Sequence, residues 1–194
     1  MKILDFLKPK TPPMLGVDIS SSAIKMVELS STGKAYCIER YVIEPLPKDA
    51  VVDGNIANLE AVGDALKRAW RLMGPRIRNV ALALPAAAVI TKKITIAADL
   101  SENEMETQVE AEANQYIPFA LDEVNLDFQV LGPSPATPEE MEVLVAASRK
   151  EKVEDRVAAA ESAGLKAVVM DVESFATLTS YELIQKQLPG EGAN

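Results

Sequence analysis

Residues 14–25, Met-Leu-Gly-Val-Asp-Ile-Ser-Ser-Ser-Ala-Ile-Lys, constrain the fold of this chain more than any other segment. They predict a short buried strand with Asp18 near its end, then the small residues Ser20 to Ser22, then a second strand that carries Lys25. This order suits a Mg-nucleotide site: the acid approaches the hydrated metal, small residues expose backbone N–H groups to phosphate, and the lysine adds positive charge. The alternative is an ordinary hairpin whose aspartate only caps the turn.

Composition excludes several classes of function. The chain has 194 residues, a net charge of −9 and no segment with a local excess of Lys and Arg, which argues against a nucleic-acid partner. It contains no histidine and a single cysteine, Cys37, so Ser-His-Asp and Cys-His catalysis, His-based metal sites and an intrachain disulfide are excluded. A reducing, cytoplasmic setting follows. The sequence contains no run of about 18 apolar residues, so no membrane span is predicted.

The pattern of apolar residues predicts a mixed sheet packed against a helix in the first part of the chain. The expected elements are strands at 14–19, 23–30, 35–44 and 79–84, and a helix over 59–73 that Gly74 and Pro75 end. The first three strands follow one another with short turns, which indicates an antiparallel opening.

Residues 86–165 predict a compact inserted β-α-β-β-α subdomain, with strands at 89–96, 124–130 and 141–147. The last two of these strands are expected to pair. Two capping boxes, Ser101 with Glu104 and Ser148 with Glu151, are expected to open its helices. Pro118 is expected to end the first helix at about Ile117.

A strand over 167–172 and a helix from residue 173 or 174 to Leu188 are expected to return to the first sheet. We therefore assign 14–85 and 166–188 to one subdomain and 86–165 to an insertion. Asp171 ends the returning strand, where it more often caps a turn than faces a cleft. Residues 1–13 predict a flexible start, or alternatively a short amphipathic helix on a membrane surface. Residues 189–194 predict a linker to a further domain.

Four segments resemble the PilM family, the cytoplasmic actin-like components of the type IV pilus assembly machinery. They are LGVDISSSAIKMVELS (15–30), EPLPKDAVVDGNI (44–56), QYIPFALDEVNLDFQV (115–130) and AGLKAVVMDVESFA (163–176). The related cell-division family FtsA shares the inserted subdomain but differs in these sequences. The resemblance covers the N-terminal half of the family only.

This resemblance implies an α/β, actin-like ATPase fold, of which 14–85 and 166–188 form subdomain 1A and 86–165 form subdomain 1C. It also implies that ATP or ADP with Mg binds between the two halves of the full-length protein. The family's phosphate-loop pattern carries over as Asp18 at a metal-bound water, Ser20, Ser21 and Ser22 at phosphate oxygens, and Lys25 as phosphate charge. No second phosphate loop follows residue 176, so we expect no nucleotide on this chain alone, and no catalytic residue is assigned.

A partner surface is predicted at Tyr116, Ile117, Pro118 and Phe119, because an aromatic-proline cluster at a helix end is a plausible anchor. Core packing in the inserted subdomain explains these residues equally well. The resemblance implies that the partners are the N-terminal cytoplasmic peptide of PilN and other inner-membrane and motor components of the pilus machinery.

The implied function is a non-catalytic adaptor in type IV pilus biogenesis and twitching motility, cytoplasmic and held at the inner membrane through its partners. Two alternatives stay open: an ATPase that drives pilus assembly, and an FtsA-like filament subunit.

Overall fold

A computed structural model describes residues 13–31, 33, 35–137, 139–185 and 188. They form two compact units, of which the first comprises 13–83 and 157–170 and the second 84–156 and 171–188. The subdomain boundaries expected from the sequence differ from these units in two ranges, because they place 157–165 in the insertion and 171–188 in the first subdomain. Those boundaries stay a prediction. The expected flexible start, apart from Pro13, and the expected linker at 189–194 lie outside the described residues.

The strands of the first unit are β1 (Leu15–Ile19), β2 (Ala23–Ser31), β3 (Tyr36–Pro45), the short β4 (Val51–Val52) and β5 (Asn55–Ile56), β6 (Asn79–Leu84) and β10 (Lys166–Val172). Five of them form a sheet in the order β10-β6-β1-β2-β3. β1 pairs antiparallel with β2 and parallel with β6, and β2 pairs antiparallel with β3. The predicted antiparallel opening and mixed sheet are confirmed.

Helix α1 (Leu59–Met73) lies against β2 and β3 and supplies much of the first core. Its buried face carries Val62, Leu66 and Ala69, which are fully buried. The Asn58 side chain accepts a hydrogen bond from the Ala61 N–H at its start, and Gly74 ends it with a φ of 63°. A left-handed residue after the last turn is the conformation that glycine adopts at little cost, so the predicted end is confirmed.

The second unit contains β7 (Ile90–Ala97), helix α2 (Glu102–Ala113), β8 (Val124–Pro133) and β9 (Glu140–Arg149). The three strands form an antiparallel sheet in the order β7-β9-β8, which confirms the predicted pairing of the last two. Ile96, Val109 and Val143 are buried at the centre of its core.

The two predicted capping boxes have different outcomes. At the start of α2, the Glu104 carboxylate accepts hydrogen bonds from the Ser101 N–H at 2.9 Å and from the Ser101 hydroxyl at 2.6 Å. The second capping box is wrong, because Ser148 is a residue of β9 and its hydroxyl donates to the Ala88 carbonyl. Helix α3 (Lys150–Ser162) begins directly after that strand.

Two helices are shorter than predicted. α2 ends at Ala113, four residues before the expected Ile117, because its last turn tightens: the Gln115 and Tyr116 N–H groups donate to the carbonyls three residues earlier, those of Glu112 and Ala113. Pro118 therefore marks only the latest possible end. Helix α4 (Glu173–Ile184) ends before the expected Leu188.

Among the described residues, no helix has the length and apolar character that crossing a membrane requires.

Candidate functional site

Asp18 and Lys25 face each other across the ends of β1 and β2, where they are register partners. Lys25 Nζ lies 2.8 Å from Asp18 Oδ2, and the side chains keep 55% and 42% of their exposure. The structure thus brings together the two charged residues that the sequence singled out. It also shows an ion pair between them, which the sequence analysis did not predict.

The serine loop that joins these strands is closed by its first residue. The Ser20 N–H and hydroxyl both donate to the Ala23 carbonyl, at 3.1 and 3.0 Å. Ser21 and Ser22 are exposed, and within the described part of the chain we find no hydrogen bond from their N–H or hydroxyl groups. These donors, beside the Lys25 ammonium, can receive an anion such as a phosphate oxygen.

The single carboxylate of Asp18 suits a magnesium ion that keeps most of its water, rather than one coordinated fully by protein side chains. Among the residues that the structure describes, no three His, Cys, Asp or Glu side chains converge as metal ligands. Mg²⁺ keeps several waters and is commonly held by one or two carboxylates and the phosphates of its substrate. A single partly exposed carboxylate beside the serine loop suits that mode, in which a bound Mg²⁺ would neutralise phosphate charge. The assignment of Asp18 to a metal-bound water stays a prediction.

The predicted partner cluster divides into buried and exposed halves. Ile117 is buried in the second core, and the partly buried Tyr116 packs against it. Burial raises the pKa of Tyr116, as does the Glu112 carboxylate 3.4 Å from its hydroxyl. Pro118 and Phe119 are exposed, and the Arg149 guanidinium lies 5.4 Å from the centre of the Phe119 ring. Pro118 and Phe119 are therefore the members of the cluster whose side chains are most accessible to a partner.

The two edges of the second sheet differ in chemistry. β7 exposes Thr91, Lys92, Lys93 and Thr95, whereas β8 exposes Val130 and Leu131 and has Asp127 as its sole charged residue. Lysines on an edge strand oppose pairing with another strand. β8, which follows Phe119 after one 3₁₀ turn at Leu121–Glu123, is thus the more receptive edge.

Asp171, predicted mainly as a turn-capping residue, is exposed near the end of β10. Its Oδ1 accepts a hydrogen bond from the neighbouring Val172 N–H at 2.7 Å. This local contact is of the kind that a capping aspartate makes.

A group of basic residues in the first unit is not among the sites predicted from the sequence. Lys67, Arg71 and Arg78 line one cavity together with Trp70. The spacing of Lys67 and Arg71, one helical turn apart on either side of Trp70, is a signal that could have found part of it.

Comparison with known proteins gives two kinds of match. The chain matches the family model described as type IV pilus assembly protein PilM over residues 16–194. It is similar to a chain of a solved PilM-PilN type IV pilus biogenesis complex, at 34% identity and a TM-score of 0.80, over 93% of this chain and 53% of that chain.

A second solved structure is the cytoplasmic domain of EpsL, an inner-membrane component of the type II secretion system of Vibrio cholerae. It is 14% identical with a TM-score of 0.51, over 81% of this chain and 56% of that chain. At that identity the likeness shows the fold alone. The chain spans about half the length of these matched chains.

Proposed function

Because this chain belongs to the PilM family of type IV pilus assembly proteins, we propose that it is an adaptor that binds the short cytoplasmic N-terminal segment of PilN. Its α/β, actin-like fold class is the predicted one. The observation that carries the proposal is the 34% identity, over 93% of this chain, to a chain of a PilM-PilN complex. Association with other pilus components, a cytoplasmic location at the inner membrane and a part in twitching motility belong to the same proposal.

The β8 edge supports this proposal as the place where the peptide binds. An extended peptide can add to an open sheet edge, where backbone hydrogen bonds give affinity and side-chain pockets give specificity. Among the described residues β8 has a strand on one side only, and its 10 residues span about 30 Å. That length accommodates a segment of about eight residues. Phe119 near one end and Val130 with Leu131 near the other supply apolar contacts.

Titration of a labelled PilN N-terminal peptide tests the proposal, with anisotropy as the readout. We expect saturable binding to this chain that Leu131→Lys and Phe119→Ala each weaken at least about tenfold, since buried apolar anchors dominate peptide affinity. Leu72→Lys is the matched control, because Leu72 is a leucine of the first unit with 70% exposure. Equal affinity for all four proteins would contradict binding at β8.

We also propose that the serine loop with Asp18 and Lys25 binds the phosphates of Mg-ATP or Mg-ADP when the second half of the fold is present. The exposed Ser21 and Ser22 donors beside Lys25 support this. In a protein with both halves, Lys25→Ala and Asp18→Ala are expected to abolish nucleotide binding in calorimetry. Retention of wild-type affinity by both variants would exclude this loop as the phosphate site.

If nucleotide binds, two further measurements distinguish the remaining alternatives, an ATPase and a filament subunit. Release of phosphate at a rate that Asp18→Ala abolishes would favour the ATPase. Growth of light scattering with protein concentration in the presence of nucleotide would favour the filament.

A further inference from the structure

A cavity of about 320 Å³ lies in the first unit between the C-terminal part of α1 and residues 161–164. Its wall carries the cations Lys67, Arg71 and Arg78 and one carboxylate, Glu161. The volume is at the lower end of the range for small-ligand sites. The surplus of positive charge stands out in a chain with 29 acidic and 20 basic residues.

Arg78 is held in place by its neighbours. Its guanidinium lies 4.5 Å from the centre of the Trp70 ring, and Nη1 donates to the Gly164 carbonyl at 2.8 Å. The Trp70 indole N–H in turn donates to the Ile77 carbonyl at 2.9 Å, which fixes the ring. A guanidinium fixed in this way loses little conformational freedom when it binds an anion.

Lys67 and Arg71 lie four residues apart on α1, so their side chains are neighbours on one helix face. Like charges at this spacing destabilise an isolated helix by a few tenths of a kcal/mol. Within the described residues, none of Lys67, Arg71 and Arg78 forms an ion pair. No carboxylate of the described chain is therefore paired with either cation to offset this repulsion, and a bound anion would reduce it.

We propose that this cavity, here called the basic cavity, binds a phosphate group. The one carboxylate leaves two of the three positive charges unmatched, whereas a phosphate brings up to two negative charges and several acceptor oxygens. The group comes either from a free phosphate compound or from the headgroup of an anionic phospholipid, because both present the same chemistry. This inference uses no residue of the serine loop or of β8 and does not depend on the proposed function.

Calorimetric titration with pyrophosphate is the first test. We expect binding that Lys67→Gln/Arg71→Gln weakens at least about tenfold, because two of three charged contacts are lost. Arg76→Gln removes one positive charge from an exposed residue outside the cavity and should leave the affinity unchanged. Binding that Lys25→Ala abolishes and Lys67→Gln/Arg71→Gln leaves intact would place pyrophosphate at the serine loop and contradict the proposal. The Lys67, Arg71 and Arg76 side chains are all exposed, and thermal unfolding checks that each variant is folded.

Co-sedimentation with vesicles distinguishes the two sources of phosphate. Binding to vesicles that contain phosphatidylglycerol, but not to pure phosphatidylcholine, with loss in Lys67→Gln/Arg71→Gln, would assign the cavity to a lipid headgroup. Pyrophosphate binding without vesicle binding would assign it to a free phosphate compound. Binding of neither probe, or an equal loss in Arg76→Gln, would overturn the proposal.

Discussion

Lys25 Nζ lies 2.8 Å from Asp18 Oδ2, and this ion pair joins the ends of β1 and β2. Both side chains are about half exposed, so solvent screens their attraction. Exposed pairs contribute at most about 1 kcal/mol to folding. We therefore predict that Asp18→Ala and Lys25→Ala each change the free energy of unfolding in urea by no more than about 1 kcal/mol. A loss of several kcal/mol would show that the pair is structural rather than reserved for a ligand.

Gly164→Ala is predicted to destabilise the first unit more than Gly33→Ala. Both glycines have a left-handed backbone, with φ of 75° and 80°, a conformation that costs a residue with a Cβ about 1–2 kcal/mol. A Cβ at Gly164 would also lie 3.1 Å from Arg78 Nη1, whereas one at Gly33 meets no atom within 4 Å. Urea unfolding measures the difference. Equal losses would mean that the Arg78 side chain moves away from the new Cβ with no cost in stability.

Gly63→Ala is predicted to cost about 1–3 kcal/mol in urea unfolding, because its new methyl group would overlap the Ser162 hydroxyl of α3. The double variant Gly63→Ala/Ser162→Ala removes the overlap and leaves a contact of 3.3 Å with the Ser162 Cβ. It should therefore recover part of the loss. Additive effects of the two substitutions would contradict a direct contact between α1 and α3 at this position.

Glu104 makes stability depend on pH. Hydrogen bonds from the Ser101 hydroxyl and N–H hold the pKa of Glu104 below its ordinary value of 4.5. The folded state thus favours the charged form, so the contribution is present above pH 4.5 and is lost as the pH falls through the lowered pKa.

Unfolding in urea at several pH values checks this. Wild type should be more stable than Glu104→Gln at pH 7, and the difference should shrink as the pH falls below 4.5. A constant gap between wild type and Glu104→Gln would refute the assignment.

Local patterns were sufficient for most strands and for α1. The alternation of buried Leu15, Val17 and Ile19 with partly exposed residues marks β1, and Gly74 marks the end of α1. Local patterns do not identify the correct element where the same residues suit two different structures. Ser148 suits a helix cap and a strand equally, and only its hydrogen bond to the distant Ala88 shows which one forms.

The candidate sites show the same limit. Asp18 and Lys25 are seven residues apart and could be paired from the hairpin alone. The basic cavity combines Arg78 with Gly164, which lie 86 residues apart, so no local pattern reveals it. Similarly, the aromatic-proline pattern groups Ile117 with Phe119, whereas burial of Ile117 in the second core separates them.

Titration of the ¹⁵N-labelled chain with the PilN N-terminal peptide tests the adaptor function most directly. We expect saturable amide shifts at one peptide per chain, concentrated at residues 117–133. Absence of any saturable shift at millimolar peptide would contradict it.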